Sequence, residues 1–345
     1  MTADSEHRSV PDPSVGVILT TYNGQDHLEE QLDSLLAQVG VSVHIYVFDD
    51  GSSDGTVPLL SRYAAAHPES FSIFESSVNS GGTGLNIFRN TTRLPSGHDF
   101  LALSDQDDVW LPHKLRRAVD ALMENDADLY FSDLVAWDGG LTELSIVTRA
   151  RPPRARDHLF GGGSAGCTYV LSARFFAHLQ DVLRHTDLSG VRRISHDWVI
   201  YFLARHDGFN VWAAPEALIK YRIHADSQYG GMSQGGLGAM RRKWRMLRSG
   251  FLEDQVYNSL RFARHGTEDR EILAAFTRGR WSRVGILMKY RFSLVRKKAR
   301  FLGLAAAFVA SRAVRRGAPL PEGRPQLAEH GTAGGSRGAG PELPR

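Results

Sequence analysis

The sequence predicts an α/β fold: a doubly wound, mostly parallel sheet followed by a basic, helical C-terminal arm. Three observations predict it. Short apolar runs alternate with segments of helical period through the first part of the chain, which is the pattern of β-α-β units. Polar, turn-rich clusters follow three of those runs, as expected where parallel strands end at a common crevice. Charge is also divided along the chain: Arg241 to Arg316 holds 20 Lys/Arg against 5 Asp/Glu, or +15, and the remainder carries −12.

Val15-Gly16-Val17-Ile18-Leu19 reads as a buried strand, closed by the polar turn Thr20-Thr21-Tyr22-Asn23-Gly24. Leu28, Leu32, Leu35 and Leu36 then recur on one face at helical spacing. His44-Ile45-Tyr46-Val47-Phe48 is a second strand, ending in Asp49-Asp50-Gly51-Ser52-Ser53-Asp54-Gly55-Thr56 at the start of another helix. Phe71 to Phe74 gives a third, and Asn79-Ser80-Gly81-Gly82-Thr83-Gly84 a loop before a helix. Phe100 to Leu103 is a fourth strand, running into Ser104-Asp105-Gln106-Asp107-Asp108-Val109-Trp110, with a helix beginning near Lys114. Further on, His196-Asp197-Trp198 opens an apolar helical run, and Ala217 to Tyr221 is strand-like. The chain thus divides into a disordered 1–13, an α/β domain over 14–230, a basic helical region over 231–316, and a Gly- and Pro-rich tail over 317–345, expected to be disordered.

A chain of 345 residues has ample length for a large core. Cys167 is its only cysteine, which excludes an intramolecular disulfide and a cysteine-based zinc site. The polar stretch from Thr2 to Pro13 has no signal-peptide core, and no apolar run reaches the ~18–20 residues of a membrane span. A cytosolic protein with at most peripheral membrane contact is expected. The GxGxxG and GxxxxGK[ST] phosphate-binding patterns are both missing, so a nucleotide would have to be held through carboxylates and a metal.

Asp105, Asp107 and Asp108 lie within four residues and repel one another. A divalent cation is their natural partner, and oxygen ligands suit Mg²⁺ or Mn²⁺. An acidic loop capping the next helix fits the same spacing. The company of Thr20/Tyr22 and Asp49/Asp50 at two other strand ends favours a shared site.

Taken together, Val17 to Asn23, Val47 to Thr56 and Ser104 to Trp110 resemble the family 2 glycosyltransferases of the GT-A fold. The Asp-Gln-Asp-Asp-Val-Trp form, with His196-Asp197-Trp198 and Tyr221-Arg222-Ile223-His224 downstream, is similar to the rhamnosyltransferase-like branch that builds bacterial surface polysaccharides. The resemblance spans roughly residues 14 to 230. It implies an inverting, metal-dependent transfer from a nucleoside-diphosphate sugar, dTDP- or UDP-linked, to a lipid-linked or cell-wall glycan. It further implies that Thr20, Tyr22, Asn23, Asp49, Asp50, Ser104 and Asp105 hold the nucleotide sugar, and that Asp105 and Asp107 carry the metal of a DxD signature. His224 completes the metal shell in some relatives, although a lone histidine equally fits a surface role. Asp197 matches the general base; the position also suits a helix N-cap. Phe160 to Thr168 resembles a glycine-rich segment on the acceptor side, and Cys167 reads as a small buried residue.

In the basic arm, Arg241 to Arg248 sets five cations around Trp244 and Met246. Leu287, Tyr290, Leu294, Phe301, Leu304 and Phe308 then recur at helical spacing among Lys289, Arg291, Arg296, Lys298 and Arg300. This predicts a basic amphipathic helix that lays its stripe on an anionic membrane, or packs it against the domain. Nucleic acid is disfavoured by the acidic remainder. A sugar-phosphate nucleotidyltransferase is disfavoured by the absence of a cation in the first turn, and a scaffold by the intact acidic positions. A processive synthase is disfavoured by the lack of membrane spans and of a Gln-x-x-Arg-Trp signature.

Overall fold

The computed structural model describes residues 11–140, 143–191, 193–223, 249–310 and 320–325. Four strands, β1 (Ser14–Thr21), β2 (Ser42–Asp49), β3 (Phe71–Glu75) and β4 (Phe100–Ser104), form the parallel half of a nine-stranded sheet in the order β3-β2-β1-β4. They coincide with the four apolar runs of the sequence. The helices between them, α1 (Leu28–Leu36), α2 (Thr56–Ala66) and α3 (Thr83–Thr91), are the crossovers that parallel pairing requires.

The other half is mixed. It contains β5 (Val109–Trp110), β6 (Leu129–Trp137), β7 (Glu143–Val147), β8 (Val170–Ser172) and β9 (Val211–Arg222). Short β8 runs antiparallel between β4 and β6, β6 and β9 pair in parallel, and β7 adds to β6 off the main path. Every residue of β6 is buried, as expected of a strand covered on both faces.

Helices cover both faces. On one, α1 buries Leu28, Leu32 and Leu35 over β2 and β5, and α4 (Lys114–Glu124) buries Leu115, Val119 and Leu122 over β6, β8 and β9. On the other lie α3, α5 (Ala173–Arg184) and α6 (His196–His206), and four C-terminal helices extend the same core. These are α7 (Phe251–Phe262), α8 (Glu268–Thr277), α9 (Arg280–Tyr290) and α10 (Phe301–Ala310). Ser172 caps α5, accepting from the Phe175 amide at 3.2 Å, and Thr267 caps α8 through the Arg270 amide at 3.4 Å.

The C-terminal arm departs from the amphipathic helix expected. It breaks at Arg291, which has left-handed backbone (φ 38°), and passes through two short 3-10 turns before α10. The apolar stripe turns inward: Leu287, Leu294 and Phe308 are buried in the core, with Tyr290, Phe301 and Leu304 packed beside them. Phe308 explains the direction, because its ring lies 4.7 Å from Phe160 and 4.8 Å from Phe276. Phe160 leads into the glycine-rich segment, so the stripe is consumed by the domain. Two polar ties fix the same contact. Asp269 of α8 is bonded by His158 at 2.9 Å and by His206 of α6 at 2.8 Å. Those bonds outweigh its burial and hold its carboxyl below the usual range.

Residues 320–325 lie within the tail expected to be disordered, yet they dock. Arg324 ion-pairs with Asp207 at 2.5 Å, and its amide donates to the Ala263 carbonyl at 3.0 Å. His224 and the Arg241 to Arg248 cluster lie outside the described residues.

Candidate active site

Strand register builds the site. Thr21 pairs with Asp49 across β1 and β2, and Leu19 pairs with Ser104 across β1 and β4. The next residues, Tyr22, Asp50 and Asp105, therefore emerge at one edge of the parallel half. They open onto a cleft of about 680 Å³. Asp50, Asp105, Asp107 and Asp197 all line it, with Thr20 and Tyr22. Residues separated by up to 231 positions in sequence thus share one cavity, Thr20 at one extreme and Phe251 at the other.

Asp49, Asn23 and Ser104 do not line it. The Asp49 carboxylate accepts from the hydroxyls of Thr21 (2.8 Å) and Ser52 (2.6 Å) and from the amides of Gly51 (3.1 Å) and Ser52 (2.9 Å). Four donors leave little acceptor capacity for a ligand. Asn23, with left-handed backbone (φ 47°), takes the Ser53 amide at 2.8 Å and so joins the ends of β1 and β2. Buried Ser104 receives the Gln31 amide nitrogen at 2.7 Å. These three shape the cleft from behind. Asp50, in contrast, takes the amide and hydroxyl of Ser80 with its carboxylate, both at 2.8 Å, which anchors the loop before α3.

Gln106, Thr21, Arg193 and Phe251 are among the further residues of the cleft that were not evident from sequence. Gln106 clamps Tyr22, receiving its amide at 2.7 Å and donating to its carbonyl at 3.1 Å, which holds the Tyr22 backbone at the cleft mouth and leaves its ring half-exposed. Its place inside the acidic motif was the available signal. Thr21 lines the cleft as well as bonding Asp49. Arg193 and Phe251 arrive from remote segments, and nothing local in sequence marks them. Arg193 is tied to Asp254 of α7 at 2.5 Å.

The acidic loop is braced by Arg222 at the end of β9. Its amide donates to the Asp108 carboxylate at 3.2 Å and its Nε to the Asp107 carbonyl at 2.9 Å, while its guanidinium pairs with Glu30 at 2.5 Å. Asp108 is fully buried and faces Arg222 and Cys167, away from the cleft. Beneath the loop, the Lys114 ammonium sits 3.6 Å over the Trp110 ring with no hydrogen-bond partner for its Nζ among the described residues, and burial lowers its pKa to about 7.

Two donor sets can be tested against a divalent cation. Asp105, Asp108 and Cys167 each bring a ligand atom to within 4.8 Å of the others. Burial, however, pushes the Cys167 thiol up, and it hydrogen-bonds the carboxylates of Asp105 and Asp108, so it is a proton donor there. The cleft-facing oxygens of Asp105 and Asp107 fit a hard cation. Burial and then the charges of Asp107 and Asp197 push the Asp105 carboxyl up to about 7. A cation is what would relieve that repulsion.

Asp197 opens α6. Its carboxylate takes the Ser195 hydroxyl and the Trp198 amide (2.9 Å), and the buried Tyr169 hydroxyl donates to its carbonyl at 3.0 Å. The same hydroxyl receives the Gly163 amide at 2.8 Å, joining the glycine-rich segment to α6. Arg296, from the C-terminal arm, donates to the carbonyls of Gly162 and Gly163 and pairs with Asp157 at 3.1 Å. His196 packs beside Gly166, where any side chain would overlap its ring, and burial lowers its pKa.

This fold is that of the GT-A glycosyltransferases. The structure is similar to that of S. aureus TarS residues 1–349 in complex with UDP, with a TM-score of 0.50 and 16% identity, covering 86% of this chain and 89% of that one. Residues 16–183, just under half of the chain, match the family model described as Glycosyl transferase family 2. Among curated proteins it is 28% identical over 232 residues to dTDP-rhamnosyl transferase RfbG of Shigella flexneri, covering 66% of this chain and 80% of that one. It is 27% identical over 221 residues to an uncharacterized glycosyltransferase, alr2836, of Nostoc sp., covering 62% and 66%.

Proposed function

We propose that this protein is a glycosyltransferase that moves rhamnose or a related hexose from a dTDP- or UDP-linked donor to a lipid-linked or cell-wall glycan, with inversion. The observation that carries the reading is the meeting of Asp50, Asp105, Asp107 and Asp197 with Tyr22 in one cleft. Thr20, Tyr22 and Asp50 hold the nucleotide, the ring by stacking and the carboxylate by accepting from a base N–H or ribose hydroxyl. Asn23, Asp49 and Ser104 hold those residues in place. The likeness to RfbG, named for dTDP-rhamnosyl transfer, favours a dTDP donor.

Asp105 and Asp107 would hold Mg²⁺ or Mn²⁺, which supplies charge stabilisation for a departing diphosphate; His224 is a further candidate ligand. Asp197 accepts the proton of the acceptor hydroxyl as its oxygen bonds the anomeric carbon and the bond from that carbon to the diphosphate breaks. The Ser195 hydroxyl and the Trp198 amide keep the Asp197 carboxylate in one orientation for that transfer. The enzyme works at the inner face of the plasma membrane, where a lipid-linked acceptor is presented.

Thermal unfolding with a panel of nucleoside diphosphates, with and without Mn²⁺, tests this. At ligand about 100 times Kd, binding to the folded state adds ~2.7 kcal/mol, or roughly 5 °C in Tm. Metal-dependent stabilisation by dTDP or UDP that disappears in Asp107→Asn is the expected outcome. Asp197→Asn should keep that stabilisation and lose transfer by about a hundredfold or more. Stabilisation by no nucleotide would overturn the reading.

A further inference from the structure

The stripe expected to face a membrane is buried, but the opposite face of the same arm is not. Trp281 is 86% exposed, Met288 66%, Phe292 47% and Leu302 78%. Trp281 and Met288, seven residues apart, share one face of α9. Phe292 follows on, and its ring lies 5.2 Å from Phe301, beside Leu302 at the start of α10. Four large apolar side chains thus project outward from α9, the turn that follows it and α10.

Cations frame them. Arg280, Lys289, Arg291, Lys297, Lys298 and Arg300 are all exposed, and Lys298 lies 5.6 Å over the Phe292 ring. No Asp or Glu occurs between Glu271 and Glu322. Of the acids near the arm, Glu268 is engaged by Arg156 (2.5 Å) and Tyr290 (3.0 Å), Asp269 by two histidines and Asp157 by Arg296, while Glu253 is buried on the inner side beside Arg283. Charge of one sign around exposed tryptophan, phenylalanine and leucine complements an anionic bilayer, whose headgroups take the cations and whose acyl boundary takes the apolar tips. We infer that this outward face of α9 and α10, centred on Trp281 and Leu302, docks the enzyme on an anionic membrane surface.

The inference goes beyond the cleft and stands or falls apart from the nucleotide experiment. Full-length protein is sedimented with vesicles of phosphatidylcholine alone or mixed with phosphatidylglycerol. Binding to the mixed vesicles only, released by salt, is expected. The triple variant Trp281→Ser/Met288→Ser/Leu302→Ser should lower that binding by about tenfold or more. Because those side chains are exposed, its Tm should match wild type, which excludes misfolding as the cause. Lys289→Glu/Lys298→Glu should abolish the preference for phosphatidylglycerol. Failure of the wild type to bind mixed vesicles, or binding unchanged in both variants, would overturn the inference. So would a wild-type dimer in analytical ultracentrifugation that the triple variant dissociates while vesicle binding persists, since the face would then serve a second copy.

Discussion

Lys114 is an amine enclosed by the protein without a hydrogen-bond acceptor for its Nζ among the described residues. Its pKa falls from 10.5 to about 7, so between those values the unfolded chain holds a proton that the folded chain has released. Stability therefore rises as pH climbs from 7 towards 10.5. Lys114→Met keeps the volume and removes the charge; it should stabilise at neutral pH by about 2–4 kcal/mol, with the advantage shrinking towards pH ~10. Urea unfolding of both proteins across that range checks it. Such a role was not legible, because lysine at the start of a helix ordinarily reads as solvated. The same limit separates Asp49 from Asp50. Both are acids at a strand end, and only the geometry gives one to four internal donors and the other to the cleft.

At the scale of elements, the four apolar runs and their crossover helices were legible because period and turn chemistry agree there. The C-terminal arm was legible only as an apolar stripe. Spacing tells that Leu287, Leu294 and Phe308 share a destination but not what lies opposite, and one left-handed residue, Arg291, breaks the helix that spacing assumed. Buried Phe308 and exposed Trp281 now give opposite expectations. Phe308→Ala should cost about 3 kcal/mol through the cavity it leaves, whereas Trp281→Ala should change stability by no more than about 0.5 kcal/mol. Denaturant midpoints of the two variants measure the difference. Gly84 is a second case: a side chain there would overlap the Ile194 carbonyl, so α3 sits against the segment leading to Asp197. Gly84→Ala should cost about 1–3 kcal/mol and weaken nucleotide binding together with stability.

Across the whole molecule, the helices after residue 249 complete the core that β4, β6 and α6 begin, and they close the cleft with Phe251. Family-like sequence ends well before them, which is why the site's far wall could not be read from motifs. Asp269 is the tie best placed to test this unity. Asp269→Asn leaves His158 and His206 without their shared carboxylate and should lower stability by about 3 kcal/mol, in one cooperative transition rather than two. The grip of Arg296 on the Gly162 and Gly163 carbonyls carries this into heredity and engineering. A surface arm would be free to drift or to be exchanged between relatives, altering only where the enzyme goes. Here a graft that replaces the arm also removes the guanidinium that sets the loop beside Asp197. Chimaeras should therefore regain full turnover only when the glycine loop and the arm are inherited from the same parent.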